Sequence, residues 1–94
     1  MFEIKRPDPN TLELIGRFDA SHERSAGSTL AGVTGDTVID FEKLQYISSA
    51  GLGLLFATQA RLNRAGHEIK LRNLSPHIRE IFRMAGFDKI FTIE

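Results

Sequence analysis

Between Thr37 and Glu94 the hydrophobic residues change period repeatedly, and that alternation constrains the fold more than any other feature of the chain. TVIDF, residues 37–41, is short, apolar and β-branched, as a buried strand requires. Residues 49–65 then follow helical spacing, which predicts Leu52, Leu55, Phe56 and Leu62 on one buried face. HEIKLRNL returns to strand alternation through Ile69 and Leu71. SPHIREIFRMAGF is the clearest helix. Ser75 suits its N-cap, Pro76 its first position, Ile78, Ile81, Phe82 and Ala85 its apolar stripe, and Gly86 its end. IFTIE adds a last short strand. Strands joined through helices imply parallel pairs. The expected fold class is therefore α/β: a single small domain over residues 1–94, with a mixed, mostly parallel β-sheet and α-helices packed against it.

The first eighteen residues read as a hairpin. FEIKR and TLELIGRF both alternate, and the PDPN between them is a turn by composition. ASHERSAGSTLAGV, residues 20–33, is a weaker helix with Ala26, Leu30 and Val33 on one side and Gly27 against it.

Bulk properties exclude several functions. The chain has no cysteine, which removes disulfides, thiolate metal sites and a cysteine nucleophile. Its three histidines have no metal-ligand spacing, so no metal is expected. No apolar run is long enough to span a membrane and MFEIKRPDPN lacks a signal core, so the expectation is a cytoplasmic protein without membrane contact. Residues 46–94 carry seven basic and four acidic side chains, but the basic ones are dispersed, in a chain with one tyrosine and no tryptophan. Direct nucleic-acid binding is not expected. The G-x-S-x-G elbow, the dinucleotide fingerprint and the phosphate loop are all absent. No catalysis and no cofactor are expected.

What remains is YISSAGLGLL, residues 46–55, where a strand gives way to a helix. Ser48 can cap the helix through its hydroxyl oxygen, and Ser49 then lies at its first turn. Gly51 and Gly53 are poor helix formers and need another reason to be there. Two explanations stand on the residues alone. Either the serines are plain caps and the glycines permit close packing, or the helix N-terminus accepts a phosphoryl group, whose charge its amides tolerate.

The stretch VIDFEKLQYISSAGLGLLFATQARLNRAGHEIKLRNLSPHIREIFRMAGFDKIF resembles the STAS domains of bacterial anti-sigma factor antagonists, and LIGRFDA is similar to the segment near that family's start. The resemblance covers residues 11 to 94. It implies a partner switch that controls transcription. The serine two residues before the first glycine, Ser49 here, would be phosphorylated by a cognate anti-sigma factor that is also a serine kinase. The unphosphorylated domain would bind that kinase, and a PP2C-type serine phosphatase would restore it. Many members carry aspartate where this chain has Ser48. Asp19 matches the family's aspartate beside the acceptor and is expected to orient the phosphate or its magnesium. An alternative within the same fold is an unphosphorylated binding subunit, as in a lipid-transport ATPase complex.

Helical phase adds a docking stripe to that reading. Ala50, Leu54, Ala57, Arg61 and Arg64 are expected opposite the buried face. Together with Asp19, Ser48, Gly51 and Gly53 they make the expected partner surface. A leucine that is merely exposed would also fit the pattern.

Overall fold

β1 (Phe2–Asp8) and β2 (Thr11–Phe18) pair antiparallel, with Phe2 opposite Gly16 and Asp8 opposite Thr11, in a computed structural model describing residues 1–94. The turn closes through Asp8 Oδ1, which accepts the Asn10 amide at 2.9 Å. Pro7 is tolerated because β1 is an edge strand. A 3-10 turn (Ala20–His22) and α1 (Glu23–Ala31) lead to β3 (Thr37–Ile47), α2 (Ser49–Arg64) and β4 (Ile69–Arg72). α3 (Pro76–Met84), a second 3-10 turn (Phe87–Lys89) and β5 (Thr92–Ile93) complete the chain. The sheet order is β1-β2-β3-β4-β5, and every pair after the first is parallel. The expected α/β class, hairpin and mostly parallel sheet are all present.

One sheet face supplies the core. Leu12, Leu14 and Phe18 of β2, Ile39, Phe41, Leu44 and Ile47 of β3, and Ile69 and Leu71 of β4 are buried. They share a single cluster with Ala26 and Leu30 of α1, Leu55 and Leu62 of α2, and Ile78 and Phe82 of α3. The residues between them, such as Glu13, Arg17, Lys43 and Lys70, are half-buried or exposed, as pleating demands. Ser75 caps α3 by accepting the Ile78 amide at 3.2 Å, and Gly86 beyond its end has φ +76°. No helix is long and apolar enough to cross a membrane.

Two sequence expectations need correction. TVIDF is not a separate short strand: β3 runs on unbroken from it to Ile47, where the strand is expected to give way to a helix, because β2 offers partners along its full length and the ladder absorbs two irregularities. Gly16 sits at one of them with φ +91°, and a Cβ there would lie 2.3 Å from the Met1 carbonyl oxygen. Only glycine fits. The rotation of α2 also differs from the expected phase. Its buried residues are Gly51, Leu55, Thr58, Gln59 and Leu62. Phe56, expected in the core, is 44% exposed, and Leu54, expected in solvent, is half-buried against Gly27 of α1. Two polar side chains on the core side are partly satisfied there. Thr58 Oγ1 donates to the Leu54 carbonyl at 2.8 Å, and Gln59 Nε2 donates to the Ile90 carbonyl at 3.1 Å.

A buried polar knot joins β3 to the segment before α3. Asp40 is 7% exposed. Its Oδ1 accepts the Glu42 amide at 3.0 Å and Asn73 Nδ2 at 3.1 Å, and its Oδ2 faces Arg72. Burial alone would push this carboxyl up, but the Glu42 amide, the Asn73 amide group and the Arg72 guanidinium together hold it below its ordinary value of 3.8. A depressed carboxylate stabilises the fold above its unfolded-state pKa and loses that contribution as pH falls through the folded value. Asp40→Ala is expected to cost about 2–3 kcal/mol in urea unfolding at pH 7, because three donors lose their acceptor. The gap from the unaltered protein should narrow below about pH 4. A gap that is constant across that range would show that the charge of Asp40 contributes nothing.

Candidate functional site

Phe18 pairs with Ile47 at the C-terminal ends of β2 and β3, and the Ser48 amide donates to the Phe18 carbonyl at 2.9 Å. The two strands therefore release the chain side by side, with Asp19 leaving one and Ser48 the other. In open parallel sheets this end is where ligand-binding loops gather.

Ser48 is extended (φ −86°, ψ 169°), and its Oγ accepts the Gly51 amide at 3.1 Å. Its carbonyl also accepts the Leu52 amide at 2.9 Å. The expected N-cap is present, and it occupies the hydroxyl of Ser48. Ser49 is the first helical residue; it is exposed, and no intramolecular hydrogen bond engages its side chain. The pair thus divides into one bonded hydroxyl and one open to solvent.

The glycines divide in the same way. A Cβ on Gly51 would meet Ile47 Cγ1 at 2.9 Å and the Phe18 ring at 3.1 and 3.2 Å, so this glycine exists for contact within the domain. A Cβ on Gly53 would meet nothing within 4 Å. Gly51→Ala is expected to destabilise by about 1–3 kcal/mol through overpacking, despite the better helix propensity of alanine. Gly53→Ala is expected to stabilise by about 0.5–1 kcal/mol, since propensity alone decides there. Paired thermal melts read both. Destabilisation by Gly53→Ala would show that its surroundings are tighter than they are in this structure.

Asp19 caps the 3-10 turn that follows it. Its Oδ1 accepts the Ser21 amide at 3.0 Å and the Ser21 hydroxyl, and His22 Nδ1 lies 3.0 Å away. The Ser21 hydroxyl above all, with His22 and the Ser21 amide, holds this carboxyl below the usual range, so it is charged at neutral pH. That oxygen is spent on local structure.

The expected docking stripe is only partly available. Ala57 and Arg64 are exposed, and Ala50 is half-exposed. Arg61 Nη2 instead donates to the Leu30 carbonyl at 3.0 Å, tying α2 to the end of α1. Leu54 lines the cleft between the two helices, with Ala20, Arg24 and Gly27. The sequence reading missed Phe56, whose ring stacks on Phe87. Helical counting does not separate it, since at 100° per residue Phe56 falls about 40° from Leu52 and only tertiary contact sets which side of that arc is covered. No group of three His, Cys, Asp or Glu side chains is placed to hold a metal ion.

Comparison with known proteins adds findings of three kinds: a family, sequence relatives and solved structures. The family described as Mlab, STAS domain, matches residues 2–93. BtrV of Bordetella bronchiseptica, described as an anti-sigma factor antagonist, is 41% identical over 56 residues, which are 60% of this chain and 48% of BtrV. The matched region is thus about half of that relative's length. A STAS-domain containing protein of Pseudomonas aeruginosa is 30% identical over 86 residues, 88% of this chain and 85% of the relative. Among solved structures, the Bacillus protein SpoIIAA superposes on the whole chain in both its unphosphorylated and phosphorylated forms. The TM-scores are 0.74 and 0.73, at 19% and 20% identity, covering 87% and 91% of the SpoIIAA chains. At that identity the likeness concerns the fold alone.

Proposed function

The chain belongs to the STAS domain family, and we propose that it is an anti-sigma factor antagonist whose partner binding is switched by phosphorylation of Ser49. Unmodified, it binds a cognate anti-sigma factor that is also a serine kinase, in the bacterial cytoplasm, and so frees a sigma factor. Phosphorylated, it is released, and a PP2C-type serine phosphatase resets it. It is a substrate and not a catalyst. The observation that carries the assignment is the unequal serine pair: the hydroxyl of Ser48 is held by the helix cap, while that of Ser49 is exposed at the first position of α2. One relative described as an anti-sigma factor antagonist, and a fold neighbour described in a phosphorylated form, support the same reading.

The helix start suits the modification. A phosphoserine adds about −1.5 to −2 charges, which the helix dipole favours by a few tenths to about 1 kcal/mol. Incubation with the cognate kinase and ATP, followed by phosphopeptide mapping, tests the assignment. Phosphate is expected on Ser49; phosphate confined to Ser48 would overturn it. A second reading is an unphosphorylated binding subunit, such as that of a lipid-transport ATPase complex. It is favoured by the Mlab description of the matched family and by the internal packing role of Gly51.

A further inference from the structure

Phe56 packs on one side only and leaves much of its ring open to solvent. It is 44% exposed on α2, and its ring lies on that of Phe87, with centroids 5.7 Å apart and planes 21° from parallel. Phe87 is half-buried and rests in turn on Phe82 and Phe91. The turn that holds Phe87 continues into Ile90, which is 40% exposed and whose carbonyl accepts Gln59 Nε2 from α2. Phe56, Phe87 and Ile90 therefore gather where α2 meets the turn after α3. Single exposed apolar residues are ordinary, but a stacked aromatic pair with an isoleucine beside it is a patch.

The patch is aligned with Ser49. At 100° per residue, Ser49, Gly53 and Phe56 fall within about 60° of one another on α2. That stripe lies across the helix from the buried Gly51, Leu55, Thr58 and Leu62. A rise of about 1.5 Å per residue puts Phe56 about 10 Å along the helix from Ser49. Between them Gly53 presents bare backbone with open space around it. A stable partner covers about 800 Å² on each side, which is a disc of about 16 Å radius. A disc of that size centred on Ser49 takes in Phe56.

We infer that the Phe56–Phe87–Ile90 patch is the apolar anchor for the same anti-sigma partner that covers Ser49, seating an apolar side chain of that partner against the stacked rings. The inference rests on the Ser49 switch proposed above and divides the labour along one helix. The aromatic patch supplies affinity in both states, and the charge at Ser49 decides whether the fit can close. Interface hot spots of this kind are typically buried aromatic groups near the centre of contact.

The test uses the purified kinase that phosphorylates Ser49 as the probe, titrated with the full chain and two variants, Phe56→Ser and Ile90→Thr. Phe56→Ser is expected to weaken binding of the unmodified chain about 30-fold, and Ile90→Thr about fivefold. Melting temperatures should stay within a few degrees of the unaltered chain, and Ser49→Asp should keep its own effect. Affinities within twofold of the unaltered chain for both folded variants, with the Ser49→Asp effect intact, would overturn the anchor and leave the switch standing. No binding by the unaltered chain would remove the switch, and the anchor with it. Self-association of the chain that Phe56→Ser abolishes, without loss of kinase binding, would assign the patch to a second copy and also overturn the inference.

Discussion

Phe18→Ala is expected to cost about 3–5 kcal/mol in urea unfolding at pH 7, the largest stability effect of any substitution near the site. Phe18 has 0% exposure and stacks on Phe2 with centroids 4.3 Å apart. Its ring also fills the space that the missing side chain of Gly51 leaves open. Truncation would remove contacts to β1 and to the first turn of α2 together, and the rigid strand ends cannot close over the gap. Domains of this kind carry about 5–15 kcal/mol in all, so the variant should be marginal at 25 °C. A loss below about 1 kcal/mol would mean that Phe2 collapses into the space and that Phe18 does not brace the helix start.

Ser49→Ala and Ser49→Asp are expected to melt within a few degrees of each other yet differ in kinase binding by about tenfold or more. Both replace an exposed residue at the first position of α2, where substitutions cost little. Aspartate even gains from the dipole. At a close-fitting partner surface the same negative charge must be desolvated, which costs several kcal/mol unless a cation meets it. Alanine adds no charge and should bind constitutively. Aspartate carries less charge than phosphate and should weaken binding only partly. Calorimetric titration of each variant beside a thermal melt reads both quantities. Parallel losses of binding and stability would make the effect one of folding.

The elements visible in the sequence are those set by local chemistry. Ser75-Pro76 and Gly86 delimit α3 through a cap, a fixed φ and a left-handed stop, all legible in order along the chain. The Ser48 cap is equally local. The rotation of α2 was not legible, because tertiary contact decides it. Gly51 against Phe18 turns the helix so that Thr58 and Gln59 enter the core; Thr58 bonds the Leu54 carbonyl one turn back in its own helix, while Gln59 bonds the Ile90 carbonyl, which only the fold brings near. A count of hydrophobic residues reads Phe56 as buried and passes over Gln59. The tie of Arg61 to α1 is hidden for the same reason, since the Leu30 carbonyl that its guanidinium bonds lies 31 positions away. The middle of β3, between Phe41 and Tyr46, is obscured in the sequence because Glu42, Lys43 and Gln45 are exposed.

The most direct measurement is a calorimetric titration of the cognate anti-sigma kinase, at constant ionic strength, with the chain in two states: unmodified and stoichiometrically phosphorylated on Ser49. A switch at that residue predicts tight binding by the unmodified chain and at least about 100-fold weaker binding after phosphorylation, a difference of about 2.7 kcal/mol, with melting temperatures unchanged or slightly raised by the helix dipole. Equal affinities in the two states would contradict the switch and leave a STAS domain that binds without being regulated at Ser49.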